Sequence, residues 1–202
     1  MTDFKGMPTT SISDCTNGFH NMEPAIKPLK DGYRVCGKAF TVQIPVGDSL
    51  GVLRAIREAE PGDVLVIDGK GDLYRAVAGD FVVGLAKTLG IAGMVIDGVI
   101  RDINGIEDLD FPVFCKGTTV ASASSKSDKG ETGSAISCGG TIVHPGDIIV
   151  GDRDGVVVVA KEDAETILKQ TKAKVAKDLQ RDEKISGSVE ETKAYLDKML
   201  NK

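Results

Sequence analysis

The sequence predicts an α/β fold with a helical C-terminal extension, and three features of its patterning carry that prediction. Two short aliphatic runs, Val64–Ile67 and Met94–Ile96, are bounded by Pro-Gly-Asp, Gly and Asp-Gly turn residues and flank a segment of helical period. That is the signature of buried strands joined through a helix. Between Thr141 and Ala160, three β-rich runs are separated by tight Gly/Asp turns, as in an antiparallel layer. From Lys161 onward the period changes to that of amphipathic helices. The chain therefore divides into an α/β domain over residues 1–160 and a helical extension over 161–202.

The elements follow in order. Residues 8–22 predict a short helix and a loop, with Thr9, Thr10, Ser11 or Ser13 as the cap. Asp14, Asn17 and His20 in this stretch are polar groups that either face solvent or reach a site. Residues 33–46 alternate as a strand ended by Pro45. Gly47-Asp48-Ser49 opens a helix to about Glu60 with Leu50, Leu53 and Ile56 inward, and Pro61-Gly62-Asp63 turns into the strand Val64–Ile67. Asp68-Gly69 ends that strand, and 69–76 reads as a glycine-rich loop carrying Lys70, Asp72 and Arg75. The next helix starts at Gly79-Asp80, shows an apolar stripe of Phe81, Val82, Leu85, Ala86 and Leu89, and stops at Gly90. Ile103–Leu109 forms a short helix and Phe111–Phe114 a strand, while 121–138 is a small, polar, exposed loop or edge hairpin. Thr141–His144, Ile148–Asp152 and Val156–Ala160 follow as neighbouring strands. The phrase Pro-Gly-Asp occurs at 61–63 and again at 145–147, each time before an aliphatic strand. Ala164, Ile167, Leu168, Thr171, Val175, Ala176 and Leu179 share one helix face, and Val189, Ala194, Leu196, Met199 and Leu200 lie on a second helix that packs on the body or on another subunit.

Composition narrows the function. A length of 202 residues suits one domain with a sizeable core, and a net charge of −5 argues against a nucleic-acid binder working through a broad basic face. No apolar run approaches the length of a membrane span, and the N-terminus lacks the apolar region of a secretory signal. Cys15, Cys36, Cys115 and Cys138 are dispersed, as expected of reduced thiols in a cytoplasmic protein. The two histidines, His20 and His144, have no ligand-pair spacing, which argues against a zinc site. The glycine-rich loop at 69–76 matches neither a P-loop nor a dinucleotide fingerprint.

Two features of 78–102 are suited to chemistry. The helix start at Gly79–Val82 offers amides and a dipole to a small anion such as a carboxylate. Arg101-Asp102 offers a guanidinium fork and a hard oxygen ligand for Mg2+ or Mn2+. A strand-helix-strand unit brings its helix start and its next strand end to one rim, so Asp80, Arg101 and Asp102 can converge there. The alternative is a capping Asp beside a surface ion pair.

The run from Pro61 through Ala164, with its paired Pro-Gly-Asp turns and its Asp80, twenty intervening residues, Arg101 and Asp102, resembles the RraA-like family over roughly residues 9 to 165. That family includes 4-hydroxy-4-methyl-2-oxoglutarate / 4-carboxy-4-hydroxy-2-oxoadipate aldolases and the regulator of ribonuclease activity A. The resemblance implies a swivelling β/β/α domain, assembled as a trimer or a dimer of trimers with the site between subunits. It implies that the backbone of Gly79, Asp80, Phe81 and Val82 cradles a pyruvyl carboxylate. Arg101 then binds substrate and stabilises the enolate, Asp102 ligates a divalent metal (Mg2+ or Mn2+), and Asp80 orients a metal-bound water as the base. The implied reaction is class II aldol cleavage of a 4-hydroxy-2-oxo di- or tricarboxylic acid to pyruvate and a second oxo acid, with oxaloacetate decarboxylation as a companion.

Three rivals stand beside this expectation. A Schiff-base aldolase would use Lys70 or Lys87, each of which would need a depressed pKa. A non-catalytic regulator of the same family would act through its surface on a ribonuclease or another protein. A methyltransferase would need a nucleotide-type glycine loop that this chain lacks. The distal half of the substrate is left to Arg75, the 121–138 loop, or Asp14, Asn17 and His20.

Overall fold

A computed structural model describes residues 3–123 and 130–201. Its elements in chain order are α1 (Thr9–Cys15), β1 (Lys27–Pro28), β2 (Val35–Gln43), α2 (Leu50–Glu58), β3 (Val64–Ala76), α3 (Asp80–Thr88), β4 (Gly93–Ile100), α4 (Ile103–Leu109) and β5 (Val113–Thr118). There follow β6 (Glu131–Thr132), β7 (Ile136–Cys138), β8 (Thr141–Val143), β9 (Ile148–Asp152), β10 (Gly155–Val159), α5 (Ala164–Ile185) and α6 (Val189–Leu200). The class is mixed α/β, as the sequence predicts.

The main sheet runs β1-β5-β4-β3-β2-β9-β10, with β6 also pairing β2. Strands β2, β3, β4 and β5 are parallel, and β1, β9 and β10 join antiparallel. The sheet curls until its ends nearly meet. Asn21 bridges Val157, Met22 N–H donates to the Val156 carbonyl at 2.9 Å, and Lys27 Nζ donates to the Asp154 carbonyl at 2.7 Å. Side-chain alternation then splits the apolar residues between two cores. Leu65, Ile67, Met94, Ile96 and Val113 face α2, α3 and α4, while Val64, Val66, Val95 and Phe114 face the interior with the β7–β8 hairpin. Burial on both faces is why these strands read as unbroken aliphatic runs. A third core joins α1 and the start of α5 to β9 and β10 through Ile12, Val150, Val157, Ala164 and Phe4.

Several local expectations change. β3 does not end at Asp68-Gly69: it bulges through Lys70 (φ 62°) and Gly71 (φ 65°), then resumes to Ala76, with register shifts against β4 on either side of Asp72. Asp-Gly-Lys-Gly reads as a turn because a bulge uses the same positive-φ residues. β4 likewise continues past Asp97-Gly98 to Ile100, buried throughout. In α3 the buried residues are Val83 and Ala86, whereas Phe81 is 74 % exposed and Leu89 48 %. In α2 they are Gly51, Val52, Ala55 and Ile56, with Leu50 and Leu53 only half-buried. In both helices a wide apolar arc leaves the inward centre underdetermined by one residue. β8 pairs with β7 and not with β9. Pro8 precedes α1 without a side-chain cap, and Thr9 instead donates from its N–H (3.0 Å) and Oγ1 (2.6 Å) to the Asp152 carboxylate. Gly90 (φ 77°) ends α3 as expected, with Gly90 N–H bonded to Lys87 O and Ile91 N–H to Ala86 O.

The two Pro-Gly-Asp phrases are one turn used twice. Asp63 N–H donates to Glu60 O and its carboxylate accepts from Glu60 N–H at 3.0 Å. Asp147 does the same with His144, whose N–H lies 2.8 Å from the carboxylate. The predicted loop at 121–138 includes residues outside those described, and its end forms β6 and β7. In the extension, Ile167 and Leu168 pack on the body, but Leu179 is 59 % exposed and α6 buries no residue. Among the described residues, no helix is long and apolar enough to cross a membrane.

Candidate active site

The rim beyond β4 brings together the residues that the sequence singled out. Val77 N–H donates to Val99 O at 2.8 Å and Arg101 N–H to Ala78 O at 3.1 Å, so the entry to α3 runs alongside the exit from β4. At this crossing Gly79 leaves no space for a side chain: a Cβ there would overlap Asp102 Oδ2 and lie 3.2 Å from Arg101 Nε. The amide end of α3, the Arg101 guanidinium and the Asp102 carboxylate thus meet at one backbone position.

Asp80 is the first residue of α3, and its Oδ1 accepts from Phe81 N–H at 2.6 Å. Its carboxylate rests on α4, where a Cβ on Gly105 would stand 2.6 Å from Asp80 Oδ2 and 2.8 Å from its Cβ. Asp102 occupies the left-handed region (φ 60°, ψ 45°) as it opens α4, a conformation uncommon outside glycine and one that concentrates at functional positions. Arg101 Nε lies 3.1 Å from Asp102 Oδ2, and both side chains are 41 % exposed. A pair so open to solvent contributes little to stability, which leaves both groups available to other partners.

A cleft of about 420 Å³ opens beside them, lined by Arg101, Asp102, Asn104 and Gly105 on one wall and Thr118–Val120 on the other. Gly105, Asn104, Thr118 and Thr119 escaped the sequence reading. Gly105 did leave a signal, because a glycine inside a seven-residue helix costs stability unless something needs the room. The site is suited to a divalent cation with few protein ligands. Among the described residues no three His, Cys, Asp or Glu side chains gather as a metal cage. One or two hard carboxylates beside an open cleft suit Mg2+, which keeps most of its waters.

The remaining sequence candidates lie elsewhere. Lys70 Nζ is paired with Asp68 at 2.6 Å, and Lys87 Nζ donates to Leu109 O at 2.5 Å, so neither lines the cleft. Asp14 pairs with Lys174 of α5 at 3.0 Å, and Asn17 is exposed in a turn at φ 55°. His20 and His144 line a separate cleft with Phe19 and Ile142. All four cysteines are free, and Cys115 and Cys138 are buried.

A second charged cluster occupies the inward face of the same sheet. Asp68 and Asp97 are paired in register on β3 and β4. Lys116 of β5 pairs with Asp97 at 2.6 Å and with Glu23, and Asp97 Oδ2 accepts from Gly139 N–H at 2.9 Å. Burial alone would lower the Lys116 pKa; the bonds and charges of Asp97 and Glu23 outweigh it and raise the value.

The chain is similar to known proteins over most of its length. The family model for RraA-like proteins, described as Aldolase/RraA, matches residues 9–158. A Halalkalibacterium halodurans protein named "Putative 4-hydroxy-4-methyl-2-oxoglutarate aldolase" is 53 % identical over 201 residues, covering 100 % of this chain and 95 % of that one. An uncharacterised protein of known structure from Pseudomonas syringae pv. tomato is 30 % identical with a TM-score of 0.83, over 96 % of this chain and 91 % of that one. The RNA-processing inhibitor RraA from Thermus thermophilis is 26 % identical with a TM-score of 0.69, over 75 % of this chain and 92 % of that one.

Proposed function

The chain belongs to the RraA-like family, and from that premise we propose that it is a divalent-metal-dependent carbon–carbon lyase acting on 2-oxo acids. It cleaves a 4-hydroxy-2-oxo di- or tricarboxylic acid between C3 and C4, releasing pyruvate and a second oxo acid. Oxaloacetate decarboxylation passes through the same enolate and is the companion activity. The observation that carries this reading is the crossing at Gly79, where helix amides, a guanidinium and a carboxylate share one rim beside a cleft. The relative named as an aldolase supports it across the whole chain.

Each residue has a physical task. The amide end of α3, Gly79 to Val82, receives the substrate C1 carboxylate, since the helix dipole and the first-turn N–H groups favour an anion there, with Phe81 N–H released from Asp80 Oδ1 as substrate enters. Arg101 supplies a fixed positive charge where the enolate oxygen develops, and preorganised charge of this kind can contribute several kcal/mol. Asp80, held against Gly105, takes the C4 hydroxyl proton through a water that it orients. Asp102 would hold Mg2+ or Mn2+, with Asp80 close by. When bound, the cation supplies a Lewis acid to the 2-oxo group.

The chain acts in the cytoplasm as a homo-oligomer, a trimer or hexamer, without nucleic acid or membrane as partner. The exposed Leu73, Tyr74, Phe81 and Val120 side chains, which lie on the segments around this rim, support coverage by a neighbouring copy. A regulator acting on a ribonuclease or another protein is the second reading, favoured by the likeness to the Thermus RNA-processing inhibitor. Pyruvate release from 4-carboxy-4-hydroxy-2-oxoadipate and oxaloacetate, with Mg2+ or EDTA, decides between them. Metal-dependent turnover supports the lyase, and its absence on both compounds turns attention to protein partners.

A further inference from the structure

Among the described residues that line the cleft there is a single cation, Arg101, which the reading above commits to the pyruvyl half. A substrate with a second carboxylate needs another positive group along the opposite wall. That wall, Thr118–Val120, is tied into the end of β3. Thr119 Oγ1 donates to Tyr74 O at 3.0 Å, Ala76 N–H donates to Ala121 O at 2.9 Å, and Arg75 Nη1 donates to Ser122 O at 3.3 Å. The Arg75 guanidinium therefore lies beside Ser122, two residues past the end of that wall and just outside the residues that line the cleft.

The surroundings of Arg75 separate it from the other cations. Its guanidinium lies 5.7 Å from the ring centre of exposed Tyr74. Asp72, the nearest acid in sequence, uses its carboxylate on the backbone N–H groups of Tyr74 (3.2 Å) and Arg75 (2.9 Å). It thereby fixes the turn that presents the arginine and does not neutralise it. Among the described residues Arg75 has no carboxylate partner, and Ser122 O takes one of its five donors. Lys70 and Lys116 are both locked in ion pairs with aspartates. Of the other candidates for reading the distal half, Asp14 lies on α1 against α5, Asn17 is exposed in a turn, and His20 lines a separate cleft.

We propose that Arg75 is a specificity-determining residue that binds the distal carboxylate of the substrate, so that the enzyme selects dicarboxylic over monocarboxylic 2-oxo acids. The proposal rests on the lyase reading. Its test uses two compounds that lack a C4 hydroxyl and cannot undergo aldol cleavage, 2-oxoglutarate and 2-oxobutyrate. Calorimetric titration is performed with Mg2+ on the full-length protein, its Arg75→Leu variant and its Arg75→Lys variant. A charge-assisted bond predicts that the wild type prefers 2-oxoglutarate by about 10-fold or more. In Arg75→Leu that preference falls below about 2-fold through loss of 2-oxoglutarate affinity, and Arg75→Lys restores part of it. An unchanged preference in Arg75→Leu, equal weakening of both ligands, or no preference in the wild type overturns the assignment. If 2-oxobutyrate binds and pyruvate is released while the preference ignores Arg75, this proposal alone has failed. If neither acid binds the wild type and no pyruvate is released, the lyase reading has failed and the assignment with it.

Discussion

Two groups of charged residues lie on one curled sheet and use the same residue types to different ends. Asp68, Asp97, Lys116 and Glu23 gather on the inward face beneath the β7–β8 hairpin, where Lys116 and Asp97 keep only 14 % and 12 % of their side-chain surface. Every charge there has an opposite charge or a backbone amide on it. Asp80, Arg101 and Asp102 stand on the outer rim with a cleft beside them, and glycines at 79 and 105 make the room they occupy. The inner group has used its bonding capacity to close the fold. The outer group keeps capacity for something the chain itself does not provide. Charge clustering is common to both, so the sign of a site is the capacity left over and the access to it.

Matched substitutions can break that contrast. Asp102→Ala is expected to cut metal-dependent pyruvate release by about 10³-fold, and to move Tm by less than about 2 °C because the Arg101 pair is open to solvent. Asp97→Ala should do the opposite in kind. It leaves Lys116 buried with Glu23 alone, and removing one partner of a buried pair costs roughly 3 kcal/mol, or about 8 °C in Tm. Its kcat, measured well below the melting point, should stay within about threefold. Thermal melts and steady-state rates on both variants check the pair. If Asp97→Ala lost activity without losing stability, the two clusters would not be separable as described.

A finer test uses the glycines. Gly105→Ala puts a methyl 2.6 Å from Asp80 Oδ2 and 2.8 Å from its Cβ, with the α4 backbone behind it. Displacing the carboxylate by about 1 Å is expected to lower kcat by about 10²-fold. Alanine is the better helix former, which offsets part of the cost of pushing Asp80 Cβ and the start of α3 aside, so the unfolding free energy should fall by about 1 to 2 kcal/mol. A rate within twofold of wild type would show that Asp80 does not need that position.

Much of this was visible in the chain and some was not, for reasons of range. Val64–Ile67 and Met94–Ile96 announced themselves because strands buried on both faces have no polar interruptions. Gly79, Asp80, Arg101 and Asp102 were visible because a strand-helix-strand unit brings its turns to one rim by local rules. Gly105 is visible only as a glycine out of place in a short helix; what needs its room is Asp80 on another helix, which no local pattern shows. In sequence the bulge at Lys70-Gly71 is indistinguishable from a loop, since positive φ marks both and only pairing with β4 tells them apart. The partner of β8 and the inward faces of α2 and α3 are likewise settled by tertiary packing.

The smallest expected effect is the inner face's share of a pH dependence to which the half-buried Cys36 and the buried Cys115 thiols also contribute. Burial first, and then the charges of Asp97 and Asp68, push the Cys138 thiol well above its ordinary 9.0. Above that pH the unfolded chain releases the proton while the folded chain keeps it, so stability is full below pH 9 and falls as pH rises. Each such thiol contributes at most about 1.4 kcal/mol per pH unit. Lys116, also raised, acts in the same direction at higher pH: its contribution is complete below its ordinary 10.5 and is lost as pH climbs through the folded value. Cys138→Ala should therefore flatten the fall in unfolding free energy between pH 9 and 10.5, measured by denaturant titration at each pH. The comparison is between slopes, because the cavity left by the sulfur lowers stability at every pH alike. An unchanged slope would mean that the thiol meets solvent, and that the β7–β8 hairpin does not seal the inner face.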